Sequence, residues 1–122
     1  MLRLVPAAFL LVEGLSSALR VAGLMSALAG HGAVAVVVVL LRLPVGMMQF
    51  TGGWLLAAAR PPGDTVARIA FLTSAVLTTL ETGFRLAPTN ADPTYRWPIV
   101  GAYWIYALGM TWLVGRVVPR TT

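Results

Sequence analysis

The chain has 122 residues, 58% of them hydrophobic and 11% charged, with a mean hydropathy of +0.83. A soluble domain of this size carries about a quarter charged residues, so the composition excludes an ordinary water-soluble fold and leaves the bilayer as solvent for most of the surface. There is no cysteine, which removes disulfides and thiolate metal sites, and the net charge of +5 comes from nine arginines without a lysine, scattered among apolar segments rather than gathered on a nucleic-acid-binding face.

Four apolar stretches are predicted as transmembrane helices, at about 4–28, 32–59, 65–86 and 98–118. Each reaches the roughly 20 residues that cross a ~30 Å hydrocarbon core. The expected fold is therefore all-α: an integral membrane four-helix bundle, with residues 1–122 as a single domain. The first stretch starts like a signal peptide, with Arg3 ahead of an apolar run, but Glu13 interrupts that run and the segment reads as a mature helix. Along it, Gly14, Ala18, Ala22, Ser26 and Gly30 recur every four residues, a small-residue ladder on which another backbone can pack, inside the bundle or in a second subunit. The Ala29-Gly30-His31-Gly32 turn follows; its lone histidine lies off the helices, a poor position for a haem ligand. The second stretch contains Pro44, which removes an amide donor and disturbs the carbonyl of Leu40 beside Arg42. Arg60-Pro61-Pro62-Gly63-Asp64 is the next turn, with Asp64 or Thr65 as N-cap, and residues 88–93 form the longer third connection. Arginine counting places Arg3, Arg60, Arg68, Arg116 and Arg120 on one side and Arg85 and Arg96 on the other, so both termini are expected to be cytoplasmic, in an inner membrane of bacterial type.

The residues that carry chemistry are the polar ones at membrane depth. Ionisable groups there are costly, face the bundle interior and mark function by default. Glu13, Ser16, Ser17 and Arg20 share a face of the first helix; Arg42, Gly46, Gln49 and Gly53 share one on the second; Ser74, Thr78, Glu81 and Arg85 fall on one stripe of the third. Rise per residue puts Glu13 at roughly 14 Å and Arg42 at roughly 16 Å of depth, with Arg20 and Glu81 both near 24 Å. The expected pairs are Glu13 with Arg42 and Arg20 with Glu81, Arg85 joining Glu81 by its four-residue spacing. Such pairs serve equally to fix which helix packs on which. The added neutral groups, Gln49, Ser74, Thr78 and Thr79, point beyond that to a lined polar cavity.

Around Gly46, Gln49, Gly52-Gly53, Leu55-Leu56 and Pro61-Pro62 the chain resembles the DoxX-like family of small four-helix membrane proteins. Ala67, Ala70, Ala75 and Thr82 are similar to that family's following helix, and Gly14 with Arg20 to its first; Gln49 stands where members commonly have glutamate. The resemblance covers about the first 87 residues and implies a four-helix fold, in a family that includes a quinone-linked oxidoreductase subunit and redox-stress proteins. Glu13 with Ser16-Ser17 also looks like the first helix of small multidrug transporters, although Arg42, Glu81 and Arg85 have no counterpart there.

The leading expectation is a protein that binds a lipid-soluble small molecule, quinone- or isoprenoid-like, alone or as a subunit of a redox complex. Arg20, Arg42, Gln49, Thr78 and Arg85 line its polar site, with Gln49, Arg42 and Glu13 expected to hold the polar head, and Tyr103 and Tyr106 close the fourth side. A quinone is the cofactor this reading admits; no metal-ligand spacing is present. The alternatives are an intramembrane isomerase, cyclase or hydrolase using Glu13 or Glu81 as acid–base group, and a proton-coupled transporter. The expected partners are the bilayer, the lipophilic ligand, and a homo-oligomer or larger membrane complex, with no nucleic acid.

Overall fold

A computed structural model describes residues 2–25, 30, 32–85 and 93–117, and these form four helices joined in an up-and-down order. Helix α1 spans Leu4–Leu24, α2 Gly32–Ala57, α3 Gly63–Thr78 and α4 Arg96–Val117; a π-helical turn, Thr79–Gly83, continues α3, and a short 3-10 turn, Pro93–Tyr95, leads into α4. The segments Leu4–Leu24, Gly32–Ala57 and Arg96–Arg116 are long and apolar enough to cross a membrane. In α3 the regular α-helix is only 16 residues long and carries Asp64 and Arg68, with Glu81 following in the π turn. The outer surface is studded with exposed large apolar side chains, among them Val12, Leu19, Met47, Trp54, Ile105 and Trp112, as expected where lipid rather than water is the neighbour.

Helix ends differ from the expected boundaries for identifiable reasons. α2 stops at Ala57, two residues early, because the Arg60 amide donates to the Leu55 carbonyl and the Ala59 amide to that of Leu56, with Ala59 at φ +55°. This is the left-handed C-terminal cap that glycine usually supplies, and alanine there gave no signal. α3 begins at Gly63 with Pro62 as N-cap and no side-chain cap; Asp64 instead accepts from Arg68 Nη2 at 3.2 Å, so the expected capping role of Asp64 or Thr65 is corrected. α4 begins two residues early, at Arg96, since Pro98 lies in the first turn, where its missing amide costs no hydrogen bond. The expected ends of the first, third and fourth segments, His31, and most of the third connection lie outside the described residues.

Glycines set the packing. A Cβ at Gly14 would stand 2.7 Å from the Gly46 carbonyl oxygen, and one at Gly53 2.9 Å from that of Ala7, so α1 and α2 meet backbone to backbone. A Cβ at Gly52 would stand 3.1 Å from the Ala67 backbone, a close approach that joins α2 to α3. The four-residue ladder of α1 does not pack along its length. Residues four apart drift by about 40° per step around a helix, and the stripe buried on this helix is Leu10, Gly14, Ser17 and Val21, while Ala18 and Ala22 are exposed. α1 follows α2 closely, α2 follows α3, and α3 follows α4, whereas α1 and α4 meet mainly through long side chains. An apolar cluster around Leu10, Leu56, Phe71, Ala107 and Val114 and a second around Val21, Val38, Val39, Val45 and Leu77 leave a polar layer between them.

Candidate functional site

The polar layer contains Ser17, Arg42, Gln49, Ser74 and Glu81, all buried, with Gln49 0% and Arg42 3% exposed. Arg42 points from α2 to α3. Its Nη2 donates to Glu81 Oε1 and, at 3.3 Å, to Thr78 Oγ1; its Nε reaches Glu81 Oε2 at 3.4 Å and its Nη1 Ser74 Oγ at 3.0 Å. The guanidinium is thus both charge-paired and largely saturated with acceptors, as a buried cation requires.

The expected Glu13–Arg42 ion pair does not form. Gly14 meets Gly46 and Ala7 meets Gly53, so residue 13 stands level with about residue 47 of α2, and Arg42 lies about five residues, roughly 7 Å, further along. Glu13 instead accepts from Gln49 Nε2 on Oε2 at 3.0 Å and from the Tyr103 hydroxyl on Oε1 at 2.8 Å. The Gln49 amide is oriented from its other end, where Ser17 Oγ donates to Oε1 at 3.3 Å.

The two halves are nevertheless joined. Tyr103 has one hydroxyl proton and gives it to Glu13, so in its 2.7 Å contact with Ser74 it is the acceptor and Ser74 the donor. Ser74 in turn accepts from Arg42. A directed chain therefore runs from Arg42 through Ser74 and Tyr103 to Glu13. Ser74 is the junction, and only its position on the Thr78–Glu81 stripe marked it in the sequence.

Arg20 and Glu81 do come together, with Arg20 Nη1 3.8 Å from Oε1, but the Arg20 side chain remains 55% exposed. Arg85 does not join them. The Phe84 amide donates to the Thr79 carbonyl, five residues back, and Arg85 leaves the helix at φ +54°, so the four-residue spacing to Glu81 no longer holds. The π turn is held to α4 by Trp104, whose Nε1 donates to Thr79 Oγ1 at 2.8 Å, a contact with no signal in the sequence. Tyr106 packs edge-on against Phe9, Phe71 and Tyr103; its hydroxyl is buried and makes no well-formed hydrogen bond among the described residues, with Glu13 the nearest acceptor for it.

Glu13, Arg20, Arg42, Gln49, Thr78 and Tyr103, with Ser16, Ser17 and Ser74, surround a cavity of about 60 Å³. That is room for a few water molecules or the polar end of a ligand, well below the several hundred Å³ that encloses a whole small molecule. A larger groove, about 360 Å³, lies on the outer side of the α1–α2 contact between Leu15, Ala18, Leu43 and Met47. Among the described residues no group of three or more His, Asp or Glu is placed to hold a metal ion. No family model matches the chain, and no curated protein or solved structure matches it.

Proposed function

We propose that this is a four-span protein of a bacterial-type cytoplasmic membrane, both termini cytoplasmic, that binds the polar head of a lipid-soluble small molecule between its helices. The ligand is quinone- or isoprenoid-like, and the protein acts alone or within a membrane redox complex, in keeping with its DoxX-like resemblance. In this topology α3 and its π turn form the remaining span, from Gly63 to Gly83, its polar groups turned to the interior. The observation that carries the reading is the Glu13–Gln49–Tyr103 set, which holds a carboxyl by neutral donors beside a small cavity, while Arg42 and Glu81 satisfy one another. A head group exchanges hydrogen bonds with such groups, and its tail stays in hydrocarbon.

Mass spectrometry of extracts from the purified protein, and of the intact protein released from detergent, tests this. A copurifying lipophile is expected, lost on Gln49→Leu and weakened by Tyr103→Phe. If nothing copurifies, and neither quinones nor isoprenoids bind, the reading fails. An intramembrane acid–base enzyme is the second reading, favoured by the contact of Glu13 with Tyr103 rather than with a cation; turnover of the bound lipophile in detergent, abolished by Glu13→Gln, would select it.

A further inference from the structure

The charges of the pocket are unequally committed. Arg42 and Glu81 neutralise each other, and Ser74 and Thr78 take further donors of the guanidinium. Two charges then remain, Glu13 within the bundle and Arg20 at its mouth, seven residues or roughly 10 Å apart along α1. Each oxygen of Glu13 already accepts a hydrogen bond. Arg20 is different: its only ionic contact among the described residues, at 3.8 Å, is longer than a hydrogen bond, and more than half of its side chain is open. Of the two cations lining the cavity, it has the more donors to give, since four of the five N–H groups of Arg42 are taken.

Its position also defines the approach. Phe9, Glu13, Ser16 and Arg20 follow one stripe of α1, and the first two of these touch Tyr106 and Tyr103 of α4. Ser16 and Arg20 continue that stripe and are exposed, so the cavity opens along the α1–α4 seam rather than toward α2. Val12 and Leu19, both exposed and apolar, stand on the lipid side of Ser16 on the same helix. Glu81 is shared with Arg42, so the Arg20 guanidinium is only partly matched and its exposed N–H groups can take a further anion.

We propose that Arg20, with the Ser16 hydroxyl beside it, binds the anionic head of an amphiphile, a carboxylate or a phosphate monoester, whose tail lies in the bilayer against Val12 and Leu19. A planar guanidinium presents a fork of N–H groups that matches either head. The proposal rests on the pocket being a head-group site and narrows the ligand from neutral quinones to charged amphiphiles.

The test uses the full chain in phosphatidylcholine nanodiscs, titrated with farnesyl monophosphate, palmitate, farnesol, farnesylamine, decylubiquinone and inorganic phosphate, with adducts counted by native mass spectrometry. Farnesyl monophosphate and palmitate are expected to bind saturably and the other probes not to. Arg20→Gln should weaken binding by about tenfold or more, as loss of a charged fork implies; Arg20→Lys should retain part of it. Arg116→Gln, at the far end of α4, should bind as the parent does. Unchanged binding in Arg20→Gln, or equal loss in Arg116→Gln, overturns the proposal. Inorganic phosphate binding as tightly as the farnesyl ester assigns the site to a free anion and overturns the amphiphile. Farnesol or decylubiquinone binding as tightly overturns the anionic head while leaving the pocket a lipophile site. Binding by none of the probes overturns the proposal and the head-group reading together.

Discussion

Glu81→Leu provides the sharpest test of the polar layer. Arg42 is 3% exposed, and both Glu81 oxygens serve it. Removing the carboxylate leaves a buried cation with only two hydroxyl acceptors, Ser74 and Thr78, and breaking a buried pair in this way costs about 3–5 kcal/mol. Replacing Arg42 and Glu81 together, by Met and Leu, leaves no charge behind and should cost far less than the sum of the single changes. The cycle should therefore show a coupling of about 2–3 kcal/mol, near the top of the range for residues in contact. The corresponding cycle between Glu13→Gln and Arg42→Met should give a coupling under about 1 kcal/mol, because the two residues make no direct contact and are bridged by the Ser74 and Tyr103 hydroxyls. The assay is reversible unfolding of all variants in mixed micelles, followed by circular dichroism. A Glu13–Arg42 coupling equal to or larger than the Arg42–Glu81 coupling would refute this arrangement of the site.

Other outcomes follow from single contacts. Gly14→Ala forces a methyl against the Gly46 carbonyl and should destabilise by about 1–3 kcal/mol in the same assay, whereas Gly101→Ala, with nothing within 4 Å, should be neutral or stabilise by up to about 1 kcal/mol. Trp104→Phe keeps an aromatic ring but loses indole volume and the hydrogen bond to Thr79, the bond itself worth about 1 kcal/mol; a loss no greater in the parent than in a Thr79→Val background would argue against that bond. Because the chain has no cysteine, single replacements can be labelled without background. In right-side-out vesicles, Thr94→Cys should react with an impermeant maleimide and Asp64→Cys should not, and the reverse pattern would invert the topology.

Much of the architecture was legible from hydropathy because a membrane span needs length and apolarity, both local properties. The residues of the polar layer were legible too, since Glu13, Arg42, Gln49 and Glu81 stand out in apolar runs and helical spacing turns them to one interior. Their pairing was not. It depends on the register of α1 against α2, which is set by where glycines permit contact, and Gly14, Gly46, Gly52 and Gly53 offer several registers to a reader of the sequence alone. The departure of Arg85 was hidden for a related reason: stripe arithmetic assumes 3.6 residues per turn, and the π turn Thr79–Gly83, which contains Glu81, breaks that period before Arg85. The capping role of Ala59 and the tether from Trp104 to Thr79 depend on geometry that residue type does not announce.

The unequal seams have a mechanical consequence. Glycine-mediated backbone contact joins α1 to α2 and α2 to α3, and Trp97 packed over Gly83 with the Trp104 bond joins α3 to α4. Between α1 and α4 the bridges are the Glu13–Tyr103 hydrogen bond and the Phe9–Tyr106 ring contact, both made by side-chain tips. Side-chain tips can part by a rotamer change, while close-packed backbones must slide as rigid bodies. The bundle is thus a stiff trough with one wall held by side-chain tips alone, the wall at which the polar layer can be reached without unpacking the other three sides.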